Sequence, residues 1–158
     1  MTDAHITLGE LEHVPDRLAV LAPAVPDVLE LVHSLLEQLW HSHPEVGDTD
    51  RMRFETAVVE ILGNIVEHAY ELDAGRSPAP DEWRRFQLVV GVTPHKVVAT
   101  FGDNGLPAAL DLGAALMPGV DAESGRGLAL AKATLDVLDY SRVDGRNRWL
   151  LECHRQDG

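Results

Sequence analysis

Three residues with chemically useful side chains fall at i, i+4 and i+8 on one predicted helix: Glu60, Asn64 and His68. That spacing lines them along one side, about 100° around the axis from Ile61 and Ile65. A carboxylate and a carboxamide one turn apart can hold a water and a hard cation side by side. The same pattern also describes a solvated polar face, so spacing alone leaves both readings open. Val59 and Val66 flank the stripe with apolar surface. Gly63 interrupts the helix at a cost of about 1 kcal/mol, which predicts close approach of another group to the backbone. A second group, Gly102-Asp103-Asn104-Gly105-Leu106-Pro107, puts a carboxylate at a strand end, before a residue free to take positive φ. By itself Asp-x-Gly is a common turn. A third, Gly125-Arg126-Gly127-Leu128, opens a predicted helix. There, backbone N–H groups at the helix start would face an anion and Arg126 would add a fork-shaped donor.

The elements that must carry these groups follow from periodicity. Arg17–Leu21 reads as a short first strand ended by Pro23 and Pro26. Val28, Leu31, Val32, Leu35, Leu36 and Leu39 follow the template of an amphipathic helix, which should stop before Pro44. Asp48 or Thr49 is the expected N-cap of a longer helix running to about Leu72, with Phe54, Val58, Ile61, Leu62, Ile65 and Ala69 as its apolar stripe. Phe86–Val92 and Lys96–Phe101 are β-rich and joined at Thr93-Pro94-His95. A Gly- and Pro-containing stretch leads to a third helix from Leu128 to about Val137. Leu138–Val143 and Arg148–Cys153 close the chain as a hairpin around Asp144-Gly145-Arg146-Asn147. The order β, α, α, β, β, α, β, β has consecutive strands on short turns, which excludes a doubly wound parallel sheet. The expected fold is an α+β two-layer sandwich: a mixed, mostly antiparallel sheet with three helices on one face. Residues 1–14 read as a loose lead-in and 15–158 as a single domain.

Composition limits the partners. The 158 residues are 45% hydrophobic and 25% charged, which suits a soluble globular domain and excludes a disordered chain or a disulfide scaffold. The formal charge is −13, which opposes general binding to nucleic acid or to an anionic membrane. It leaves room for a nucleotide held by a local nest of donors and favours a protein partner with a basic face. The single Cys153 cannot form an intramolecular disulfide, and no apolar run approaches a membrane span, so a cytoplasmic setting is expected. Cys153 reads as a small core residue, and Trp40, Trp83 and Trp149 as core or interface anchors. His41 and His43 share a Pro-bounded loop, too few for a metal site.

The conjunction of the three groups is specific where each alone is not. Glu60-x-x-x-Asn64-x-x-x-His68-Ala69-Tyr70 on a helix, Asp103-x-Gly105 after a hairpin strand and Gly125-Arg126-Gly127-Leu128 at a helix start resemble the N box and the two glycine boxes of the GHKL ATPase superfamily. Within it, Asn64–Tyr70, Asp103–Pro107 and Gly125–Leu128 with Asp144–Asn147 look like the anti-sigma-factor serine kinases of bacterial partner-switching systems. The resemblance covers about residues 17–154.

It implies a Bergerat-type fold and roles residue by residue. Asn64 would bind Mg²⁺ bridging the phosphates of ATP, and Glu60 would be the general base for the attacking hydroxyl. Asp103 would accept from the adenine amino group, and Gly105 would let the chain curve around the base. Gly125 and Gly127 would contact the phosphates, Arg126 would lie near the γ-phosphate, and Leu106 to Ser124 would be a lid. These roles suit phosphoryl transfer, which needs positioning and charge neutralisation more than covalent chemistry. The implied activity is an ATP-dependent protein serine/threonine kinase that phosphorylates an anti-anti-sigma (STAS-type) protein and sequesters a sigma factor, as a homodimer through the first strand and helix. Two departures from the pattern, Ala108 after Pro107 and the absence of Arg in Leu31-Val32-His33-Ser34, motivate an alternative: an ATP-binding module that captures a partner without phosphorylating it.

Overall fold

A computed structural model describes residues 11–72, 84–104 and 124–156, with the backbone alone at 68–72 and 124–126. Five strands form one sheet: β1 (Leu18–Pro23), β2 (Arg85–Val92), β3 (Lys96–Asp103), β4 (Val137–Val143) and β5 (Arg146–His154). Their spatial order is β1-β2-β3-β5-β4. Among the described residues every pairing is antiparallel, where the sequence reading allowed a mixed sheet. The helices are α1 (Val28–Ser42), α2 (Asp48–Leu72) and α3 (Ser124–Thr134).

Strand alternation decides which side the helices cover. Phe86, Leu88 and Val90 of β2, Val97, Ala99 and Phe101 of β3, and Trp149, Leu151 and Cys153 of β5 are buried on one side. They share a core with Val32, Leu36 and Leu39 of α1, Phe54, Val58, Ile61, Leu62 and Ile65 of α2, and Leu128 and Ala131 of α3. Burying each such Leu, Ile or Phe contributes about 1.5–3 kcal/mol relative to leaving it in water. The three helices therefore form the second layer, as the apolar stripes require. Cys153 is fully buried, and Trp40 and Trp149 are core residues; Trp83 lies outside the described residues.

Several boundaries differ from the sequence reading. β1 runs past Leu21 to Pro23, whose register partner is Arg85, so that proline closes the strand from within. The N-cap of α2 is Gly47, not Asp48 or Thr49: its carbonyl accepts from Arg51 N at 3.0 Å. Asp48 and Asp50 instead occupy the first turn, where the helix dipole favours carboxylates. α3 begins at Ser124, so Gly125 and Gly127 lie inside its first turn instead of before it, and it ends at Thr134 because Val137 is already in β4. The final turn is shorter than expected. Asp144 (φ 53°) and Gly145 (φ 74°) form a two-residue connection, the positive-φ geometry of a tight hairpin, and Arg146 and Asn147 belong to β5. Leu11 and Val14, read from sequence as part of a loose lead-in, are buried against Val98 on the side of the sheet away from the helices.

Arg53 ties the helical layer to the sheet. Its guanidinium reaches Asp50 Oδ1 (3.3 Å) within α2, the Thr134 carbonyl (3.1 Å) at the end of α3, Asp136 Oδ2 (3.3 Å) and the His154 carbonyl (3.4 Å). One planar cation with several donors thus fixes where α3 ends relative to α2.

Candidate active site

The middle of α2 carries the first part of the site. Asn64 is buried, and its Oδ1 has no hydrogen-bond partner. A buried carbonyl oxygen without a partner costs about 1–3 kcal/mol, so its persistence points to a group that completes it. One turn earlier Glu60 is partly buried. The first turn of α3 meets it there: a β-carbon built on Gly127 would overlap Glu60 Oε2. Only glycine allows that approach. The carboxylate consequently sits beside the N-terminal turn of α3, where backbone N–H groups lack helical partners and the dipole is positive. α2 and α3 together thus set the Glu60 carboxylate against a helix start, with the buried Asn64 carboxamide one turn further along α2. The close approach expected at Gly63 occurs here instead, since a β-carbon at Gly63 would meet nothing within 4 Å and the residue is exposed.

The second part is at the end of β3. Asp103 is buried on the helix-covered side, with Asn147 of β5 as its register partner. Asn147 Nδ2 donates to Asp103 Oδ1 at 2.9 Å. The Asn147 Oδ1 accepts from Arg142 Nη1 at 2.9 Å and from the Tyr140 hydroxyl. These two donors fix the amide orientation, so its NH₂ has to face Asp103. A carboxylate held this way is a rigid acceptor for an N–H donor entering from the core side. Tyr140 in turn packs on Trp149, with ring centroids 4.7 Å apart.

Of the residues singled out from sequence, Glu60 and Gly127 meet between α2 and α3, Asn64 is buried one turn along α2 from Glu60, and Asp103 stands on the covered face of the sheet. The backbones of Gly125 and Arg126 lie in the first turn of α3. Gly105, the Arg126 and His68 side chains and the expected lid up to residue 123 lie outside the described residues. Sequence reasoning missed Asn147 and Tyr140 as site residues. Their signal was register: with the turn at Asp144-Gly145, the inward positions of β5 are Asn147, Trp149, Leu151 and Cys153, and one polar residue heads an apolar series. A backbone hydrogen bond, helped by the His43 contact at 3.3 Å, holds the Glu45 carboxyl below its usual range. Among the described residues no three His, Cys, Asp or Glu side chains cluster as a metal site.

The described residues contain no helix long and apolar enough to cross a membrane. A family model for the histidine kinase-like ATPase domain matches residues 22–151, from the end of β1 into β5. No curated protein matches the chain significantly.

Proposed function

The chain belongs to the family of histidine kinase-like ATPase domains, and from that premise we propose that it is an anti-sigma-type protein serine/threonine kinase. ATP would bind between the helical layer and the covered face of the sheet. The observation that carries this reading is the buried, unpartnered Asn64 Oδ1 one turn from Glu60, itself packed on Gly127. Asn64 is the residue that would hold Mg²⁺, and that ion when bound supplies charge neutralisation on the phosphates. Asp103, oriented through Asn147, accepts from the adenine amino group. Gly105 gives the chain room to curve around the base. The first turn of α3, with Gly125, Arg126 and Gly127, offers donors to the phosphates.

Glu60 is in place to take a proton. The acceptor serine hydroxyl gives its proton to the Glu60 carboxylate as its oxygen bonds to the γ-phosphorus, and the bond from that phosphorus to ADP breaks. The carboxylate is partly buried at the positive end of α3, which keeps it close to the transferring group. A binding protein that only held ATP would have no use for a carboxylate there. The acceptor is a STAS-type anti-anti-sigma protein, and the unphosphorylated state of that antagonist decides whether a sigma factor is held. The motif likeness and the excess of acidic surface, suited to a basic partner, support these partners and a homodimeric assembly.

The test is incubation of the purified chain with Mg-ATP and its cognate STAS-type antagonist, read by phosphoserine mass spectrometry. Phosphoserine with the wild type and none with Glu60→Ala is expected. ATP binding without transfer by the wild type would refute the kinase and select a module that captures its partner without modifying it.

A further inference from the structure

The side of the sheet opposite the helices carries a groove of about 990 Å³. Leu11 and Val14 cover one end of that face, at Val98, and among the described residues nothing else packs over the remainder. Strand alternation sends Arg85 of β2 and Arg146 and Arg148 of β5 into this groove, because Phe86, Asn147 and Trp149 between them point to the core. All three arginines are exposed, and none of their side chains forms an ion pair or hydrogen bond among the described residues. Arg17 also lines the groove, so four guanidiniums stand there against the carboxylates of Glu12 and Asp139, a basic excess in a chain of formal charge −13.

Register explains why they converge on one spot. Arg148 and Gln87 both pair with Gly102, which has no side chain and lies in the strand between them. A β-carbon there would find its nearest neighbour at 4.0 Å, the Asn147 carbonyl, so the middle of the row is an open floor. Arg85 and Arg146 flank the next position, separated by one strand, about 10 Å apart at the backbone. Arg146 and Arg148 are two residues apart on one strand, a repeat of about 7 Å, which is also the spacing of alternate side chains on an extended peptide.

We propose that this groove docks an extended acidic segment of a partner protein, whose alternate carboxylates pair with Arg146 and Arg148 while Arg85 takes a third. Guanidinium forks match carboxylates in bidentate geometry, and Gln87 offers an amide for the peptide backbone. Two other occupants fit less well. A second copy stacked face to face through this surface would set arginine against arginine. A nucleic acid would meet the repulsion of the remaining acidic surface outside the groove. The three arginines stand on the opposite side of their strands from Asp103 and Asn147, which also border the groove, and the proposal holds whether or not the chain is a kinase.

The test uses the full chain and a fluorescein-labelled ten-residue glutamate peptide, read by anisotropy at low salt, with a labelled ten-nucleotide single strand for comparison. Wild type is expected to bind the peptide more tightly than the oligonucleotide. The triple substitution Arg85→Gln, Arg146→Gln, Arg148→Gln is expected to weaken peptide binding about tenfold or more, as loss of three exposed charge pairs implies. Gly102→Val keeps every charge and is expected to weaken it by filling the floor. Both variants should retain the thermal transition of wild type, and the triple variant its Mg-ATP affinity, which separates failure of this proposal from failure of the nucleotide site. Equal peptide binding by wild type and the triple variant, no binding by wild type, tighter binding of the oligonucleotide through the same arginines, or arginine-dependent self-association in light scattering would each overturn it.

Discussion

Gly127→Ala separates what the contact between α2 and α3 does for stability from what it does for chemistry. The new β-carbon would overlap Glu60 Oε2, come within 3.4 Å of Glu60 Cδ and stay 4.0 Å from Glu60 Cβ. Among the described residues no other atom stands closer, so the end of the Glu60 side chain is what yields. Turning that end out of its favoured rotamer costs about 0.5–1.5 kcal/mol. Replacing Gly by Ala in a helix returns about 0.5–1 kcal/mol. The two nearly cancel, and urea unfolding should place the variant within about 1 kcal/mol of wild type. The backbone N–H of residue 127 survives, so affinity for a fluorescent ATP analogue should change little. Turnover should not survive as well. A base displaced by about 1 Å costs about a hundredfold in rate, and a base removed about 10²- to 10⁴-fold. ADP release under saturating Mg-ATP should therefore fall about a hundredfold. The double variant Glu60→Ala with Gly127→Ala should be no slower than Glu60→Ala alone, because both act through one carboxylate. Full turnover by Gly127→Ala, or losses that multiply in the double variant, would refute the reasoning.

Arg53→Ala removes the cation that joins α2 to the ends of α3 and β5 and leaves the buried Asp50 without it; urea denaturation should show a loss of about 2–3 kcal/mol, and an unchanged midpoint would contradict that role. Asn147→Ala deprives Asp103 of its donor and should weaken ATP binding about tenfold by calorimetry, with a stability loss of about 1–3 kcal/mol. The buried Cys153 thiol is pushed up to about 11 by desolvation, which Arg53 offsets only in part. The native state therefore keeps its proton where the unfolded chain releases it. Stability should fall by up to about 1.4 kcal/mol per pH unit between about pH 9 and 11, and Cys153→Ala should flatten that slope. Native protein should also resist thiol-directed reagents at pH 8 and react on unfolding, as a buried neutral thiol does.

Much of this architecture is legible in the sequence because it rests on one-dimensional patterns. The stripe of Val28, Val32, Leu36 and Leu39 and that of Phe54, Ile61 and Ile65 need burial on one side only, and the β-rich runs are too closely spaced for crossovers. Those facts give three helices over an antiparallel sheet. Glu60 and Asn64 were readable because helical spacing converts directly into adjacency. Contacts between elements distant in sequence were not. Gly127 meets Glu60 only once α3 is docked on α2, so local reasoning assigned the tight approach to Gly63, the glycine in view. Asn147 entered the Asp103 site through the hairpin register, which a two-residue turn sets and a four-residue turn would shift. Leu11 and Val14 have no periodicity to mark them. Their burial depends on the bare sheet face at Val98, which exists only after the strands have paired.

Titration calorimetry of the full-length chain with ATP in the presence of Mg²⁺ bears most directly on the nucleotide site. One ATP should bind per chain, and both Asn64→Ala and chelation of Mg²⁺ should weaken it about tenfold or more, since each removes one half of the same contact. Chelation should then have little further effect on Asn64→Ala. No heat of binding with the wild type, or an Asn64→Ala chain that binds Mg-ATP as tightly as the wild type and still responds to chelation, would contradict the assignment of Asn64 and with it the site.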